Sequence, residues 1–223
     1  MSQKHGQFAV TLECVEEQEP DQWAELLANG LTFDVSGLAS GRACRFPAEA
    51  NRFYGFAEEF DPAGCEGIVL SPGPHLVSGG PMVPVLRCLA WLTAELSELP
   101  HLSAIVWQAA GSVNEPGHFR ESITRWLGGG AFPGLGLTSL AAQADGTMKS
   151  QGLSLFTGQE LVLDASLSQD KAQGAKMALR LLHWMVENGK IEETLPITGP
   201  AGDNLTLEPS AEKGIVTVWR GSR

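Results

Sequence analysis

The sequence lacks long apolar runs. No stretch reaches the roughly 18 uncharged apolar residues that a membrane span requires. The opening "MSQKHGQFAV" has no apolar run of the signal-peptide kind. Cations are scarce as well: 15 Lys and Arg stand against 26 Asp and Glu, a formal net charge of −11. Such a surface repels phosphate backbones and anionic lipid, so nucleic acid and membrane are not expected partners. The four cysteines, Cys14, Cys44, Cys65 and Cys88, show no CxxC spacing, which removes the usual zinc and dithiol motifs. They are expected to be reduced, buried and small, in a cytoplasmic protein.

Familiar catalytic motifs are missing too. There is no GxxxxGK[ST] loop, no GxSxG elbow and no HExxH helix. "GGGAFPGLG" is rich in glycine, but it follows a helix pattern. A dinucleotide loop has to follow a strand and open a helix. No metal and no cofactor are expected on these grounds.

What is present suits a packed globule: 43% hydrophobic and only 18% charged residues in 223. "QFAVTLECV" (7–15) alternates as a strand. "EPDQWAELLANG" (19–30) reads as a short helix begun by Pro20 and ended by Asn29-Gly30. Residues 31–66 hold Phe33, Phe46, Phe53, Tyr54, Phe56 and Phe60 without a clear period. "CEGIVLSPG" (65–73) reads as a short buried strand. Val85, Leu86, Leu89, Leu92, Thr93 and Leu96 form one face of the first strong helix.

"LSAIVWQAAG" (102–111) reads as a central strand. A helix follows, with Asn114 as its N-cap, Pro116 in its first turn and Phe119, Ile123 and Trp126-Leu127 as its buried stripe. Gly128, Gly129 and Gly130 end it. Residues 134–163 read as strands joined at the Asp145-Gly146 turn. The longest helix comes next, capped by Ser168 and ended by Asn188-Gly189. Its apolar face is Ala175, Ala178, Leu179, Leu182, Met185 and Val186. Two strand runs close the chain.

This order predicts an α+β fold: a mixed, largely antiparallel sheet with helices packed mainly on one face. No repeat or linker divides the chain, so a single domain over 1–223 is expected, with two lobes meeting near 130.

The chemistry-bearing residues are few. Strand alternation through "GLSLFTGQELVL" (152–163), with a bend at Gly158, sets Glu160 opposite Leu161 and Leu163. Two roles stand for it: a carboxylate bonded locally to Thr157 or Lys149, or a general acid/base with His118. His118 and Glu121 lie three apart on one helix. They fit a solvated surface pair or two ligands of a metal edge. His183 fits a half-buried structural imidazole. The six tryptophans, Trp23, Trp91, Trp107, Trp126, Trp184 and Trp219, lack the interleaved cations of a single-strand platform, so packing or protein contact explains them better. Trp107, Gln159 and Glu160 are the candidate binding residues.

The run "IVWQAAGSVNEPGHFRES", "GLGLTSLAAQADGTMKSQGLSLFTGQELVL", a long helix and "TLPITGPAGDNLTLEPS" resembles an uncharacterised bacterial family catalogued as domain of unknown function forty-two sixty-one. The likeness covers residues 65–220; Thr157-Gly158-Gln159-Glu160 departs from the aromatic-glycine pattern expected there. The resemblance implies an α/β bacterial cytosolic protein and brings no known catalytic residues.

Acidity, abundant tryptophan and the missing catalytic motifs together lead to a non-enzymatic interaction protein. It would be an immunity or accessory factor that captures a basic protein partner. The alternative is a small-molecule enzyme using Glu160 and His118 as acid/base groups. A third reading is a structural protein that self-associates through exposed apolar strands.

Overall fold

The computed structural model describes residues 8–11, 23–38, 47, 49–63, 65–77, 82–199 and 202–221. The fold is α+β with mostly antiparallel pairing. Its strands are divided among three sheets, where the sequence reading expects one.

The first sheet contains β1 (Phe8–Thr11), β2 (Trp23–Ala28), β3 (Leu31–Ser36) and, past the short β4 (Arg52–Tyr54), β5 (Val69–Pro72), in the order β1-β2-β3-β5. Here the expected helix over 19–30 is corrected, because residues 23–28 are strand; Pro20 and Asp21 lie outside the described residues. The burial of β2 has period two, with Ala24, Leu26 and Ala28 inside. Asn29-Gly30 is the tight turn of a hairpin. Both residues have positive φ, 51° and 78°, as a two-residue connection between twisted strands requires. The turn signal was in the sequence, but it ends a strand. β5 is a partly exposed edge strand where a buried one was expected, and an edge tolerates its Pro72. A single helical turn, α1 (Pro74–Val77), follows.

Helix α2 (Val83–Leu96) starts with Pro84 in its first turn and buries Val85, Leu86, Leu89 and Leu92, as its period predicts. It packs with Leu26, Phe33 and Val35 of the first sheet in one hydrophobic core. β6 (Ile105–Trp107) and β7 (Ser112–Asn114) join β4 in a three-stranded sheet ordered β4-β7-β6. β6 is therefore an edge of three residues rather than a long central strand.

Helix α3 (Pro116–Leu127) is capped by Glu115, whose carboxylate accepts the N–H groups of Gly117 and His118. The expected cap, Asn114, is instead the buried end of β7. Its amide donates to the Ser112 hydroxyl at 3.2 Å and the Ile105 carbonyl at 3.4 Å. A seam of buried hydroxyls continues from there: Ser112 donates to the Gly136 carbonyl, Thr138 to Gly134 and Ser139 to Ala110. These bonds tie the loop after α3 to the three-stranded sheet and leave few interior polar groups unmatched.

The third sheet has the order β11-β12-β13-β10-β9-β8. β8 (Ser139–Ala142) and β9 (Met148–Gln151) form the hairpin expected around Asp145-Gly146. Residues 154–157, expected as strand, make the helical turn α4 (Ser154–Thr157), ended by Gly158 in the left-handed region. β10 (Glu160–Leu163) then enters the sheet. Helix α5 (Lys171–Asn188) is capped by Asp170, not Ser168, whose hydroxyl bonds the Gly146 carbonyl at 2.7 Å. The expected two closing strands are three: β11 (Leu195–Thr198), β12 (Asn204–Ser210) and β13 (Ile215–Arg220).

β13 lies parallel to β10, and the other neighbours in this sheet are antiparallel. Ala178, Leu181, Leu182 and Met185 of α5 cover Leu161, Leu163, Leu205, Leu207, Val216 and Val218 in a second core. Each such leucine taken out of water contributes about 1.5–3 kcal/mol before entropy is counted. Val186 packs against both cores and so links them.

Candidate functional site

Glu160, at the start of β10, sits beside α4. Its carboxylate accepts four hydrogen bonds: from the Ser150 hydroxyl at 2.5 Å and the backbone N–H groups of Gly152, Leu153 and Ser154 at 2.9, 3.3 and 3.0 Å. The expected partners, Thr157 and Lys149, are not the ones it uses. Ser150 completes the arrangement by accepting the Leu161 N–H at 2.7 Å. Three consecutive backbone N–H groups form a small positive concavity, and the carboxylate fills it. Glu160 thus fastens β9, α4 and β10 together. The sequence shows only a carboxylate among apolar neighbours; the helical turn that presents the three amides is not legible there.

Gln159 lies one residue earlier and is only 2% exposed. Its amide donates to the Ile191 carbonyl at 2.8 Å, and its oxygen accepts the Ile191 N–H at 2.8 Å. It matches both backbone groups of a residue beyond α5, much as a neighbouring strand would. Trp107 is 6% exposed, with its ring 6.4 Å from that of Phe119 in the first core. Its indole N–H is buried with no hydrogen-bond partner among the described residues. Gln159 and Trp107, two of the candidate binding residues, therefore both have buried side chains.

His118 is half-buried on α3 and packs against the Gly55 backbone; a Cβ on Gly55 would lie 2.4 Å from the Cβ of His118. A small hollow there is lined by Asn114, His118, Ser122, Pro133 and Leu135 among others, and Glu160 is not one of its walls. The structure therefore does not bring the two candidate acid/base residues together. Glu121 pairs with Arg125 at 2.5 Å rather than with His118. Among the described residues no three His, Cys, Asp or Glu side chains gather as metal ligands would.

His183 does take the structural part expected of it: its Nδ1 accepts the Phe132 N–H at 3.1 Å and its Nε2 lies 3.5 Å from Glu187. Burial pushes the Cys88 thiol above its ordinary pKa, against a weaker opposing bond from Asn29. Burial likewise raises the Tyr54 phenol, against the pull of Arg52.

The residues the sequence left unread form the most unusual surface. Phe53 is 48% exposed on β4. Its ring centroid is 6.3 Å from that of Phe56, which stacks on Phe60 at 5.3 Å. Among the described residues the three rings belong to neither core, and Phe56 and Phe60 are half-buried. Glu58, Glu59 and Asp61 are exposed along the same segment. Among the described residues no helix is long and apolar enough to cross a membrane. No family model, curated protein or solved structure matches the chain.

Proposed function

We propose that this chain is a non-catalytic interaction protein that captures a basic protein partner, as an immunity or accessory factor of a bacterial toxin or secretion system would. One observation carries the reading: the ridge of Phe53, Phe56 and Phe60 stands outside both cores, interleaved with the exposed carboxylates Glu58, Glu59 and Asp61. Ring faces attract guanidinium and ammonium groups, and neighbouring carboxylates pair with the same cations. Aromatic side chains, phenylalanine among them, are also enriched at protein contact surfaces. The net charge of −11 adds long-range attraction that speeds encounter with a basic surface. Glu160 supports the reading in another way, because its carboxylate is already engaged by four donors inside the chain.

The test is capture from a native lysate at several salt concentrations, comparing the wild type with a Phe53→Ala, Glu58→Gln, Glu59→Gln variant. The expected result is a stoichiometric basic protein that the wild type retains at low salt, releases at high salt, and that the variant fails to hold. Recovery of nothing, or equal recovery by the variant, overturns the reading.

A further inference from the structure

The first sheet has a second face that neither core uses. Residues directly opposite each other on antiparallel strands project to the same side, so the register assigns every side chain. β2 and β3 pair Trp23 with Ser36, Glu25 with Asp34 and Leu27 with Thr32 on one side, and Ala24 with Val35 and Leu26 with Phe33 on the other. The second set is buried. The first set faces outward, joined by Ser71 opposite Asp34 and Val69 opposite Ser36 on β5. Leu27 and Val69 are 47% and 48% exposed. Trp23, Glu25 and Asp34 are half-buried.

One feature of this face is unfavourable to the folded chain alone. Glu25 and Asp34 oppose each other directly, which costs a sheet stability. β2, β3 and β5 contain no Lys or Arg. Among the described residues no cation forms an ion pair with Glu25 or Asp34. Among the described residues, His75 of α1 also lies at this side, with its Nε2 3.0 Å from the Thr32 hydroxyl. A second copy of the same face would bring four carboxylates together, so the charge disfavours self-association.

We propose that this face docks an extended, Lys- or Arg-bearing segment of a protein partner. One side of the segment faces the sheet: a cation lies over the Glu25–Asp34 pair, and the aliphatic side chains two residues to either side of it lie against Trp23, Leu27 and Val69. The proposal rests on the basic-partner reading above and adds a surface distinct in sequence from the Phe53–Phe60 ridge. Every second side chain of an extended segment points to the same side, which matches Trp23, Glu25 and Leu27, two residues apart on β2.

The probe is a synthetic peptide in which valine, lysine and valine occupy every second position with serine between them, titrated into the nitrogen-15-labelled 223-residue chain and followed by NMR. Controls replace lysine with glutamate or valine with serine. The expected result is that β2 and β3 amides and the Trp23 indole shift with the lysine–valine peptide, and that both controls bind more weakly. A Glu25→Gln, Asp34→Asn variant should bind it about tenfold more weakly, as the loss of two modest charge contacts implies. The same variant should unfold at higher denaturant, because relief of repulsion needs no ligand.

Unchanged affinity in that variant, shifts confined to the Phe53–Phe60 ridge, or a dimer that depends on Leu27 would each overturn the proposal. If the peptide ignores the sheet face while lysate capture still depends on the ridge, this inference fails and the earlier reading stands. If the ridge variant captures normally while the peptide binds β2 and β3, the earlier placement fails and the sheet face stands.

Discussion

The Gln159 carboxamide and the Ile191 peptide unit satisfy each other, donor to acceptor in both directions at 2.8 Å, across 32 positions of sequence. The contact fixes the chain leaving α5 against the chain entering β10. Truncation to Gln159→Ala leaves a buried N–H and a buried C=O without partners and should lower the unfolding free energy by about 2–4 kcal/mol. Urea denaturation followed by tryptophan fluorescence measures this. A loss below about 0.5 kcal/mol would mean that water replaces the amide at no cost.

Glu160 makes a sharper prediction because charge is involved. Glu160→Gln turns an acceptor-only group into one with a donor arm facing three N–H groups, and should cost about 2–3 kcal/mol. If Glu160 served mainly as an exchangeable acid, stability would barely change. The same denaturation experiment reads the difference.

At Gly30 the prediction concerns backbone alone. Its φ of 78° lies in the left-handed region, and nothing stands within 4 Å of where a Cβ would be. Gly30→Ala should therefore cost about 1–2 kcal/mol through conformation, with no clash. Circular dichroism during thermal unfolding should show a lower midpoint with an unchanged native spectrum.

Asp145 links the β8–β9 turn to pH. Its carboxylate accepts the Thr147 hydroxyl at 2.7 Å and the Thr147 N–H at 3.0 Å. The hydroxyl bond, then the backbone bond, hold its pKa below the usual carboxylate range. The folded state therefore takes up this proton less readily than the unfolded chain. The stabilisation is complete above the ordinary carboxylate pKa of about 4 and is lost as the pH falls through the lowered folded value. Asp145→Asn should show a smaller loss of stability over that acid range than the wild type, as measured by denaturation at successive pH values. Identical slopes would refute the assignment.

Cys88 is buried with a raised pKa, so its thiolate is both scarce and inaccessible. Iodoacetamide at mildly alkaline pH should label its peptide far more slowly in the native chain than in urea, as followed by mass spectrometry. Equal rates would show that α2 opens readily.

Much of the helical structure was legible because its signals are local and repeated. The stripes on α2, α3 and α5 recur over three or more turns, and Pro84, Pro116 and Gly189 mark the ends. Caps were less legible. Asn114 and Ser168 are good capping residues by type, yet both bond elsewhere while Glu115 and Asp170 cap. β2 was misread because Trp-Ala-Glu-Leu-Leu-Ala suits either period over so few residues. Its strand character comes from β1 and β3, which a local pattern does not contain. Gln159 and Glu160 were visible as oddities among apolar neighbours. Their partners, Ile191 and the amides of 152–154, could not be read from type or spacing, because a helical turn stands where alternation predicted strand. The aromatic ridge shows no period because it packs against neither core.

β13 completes the six-stranded sheet from within rather than at a rim, lying between β12 and β10, with Ile215 opposite Glu160. During synthesis, β8 to β12 emerge before the piece that joins them. A chain interrupted between Ser210 and Ile215 would carry the strands of both halves without the one that bridges β12 to β10.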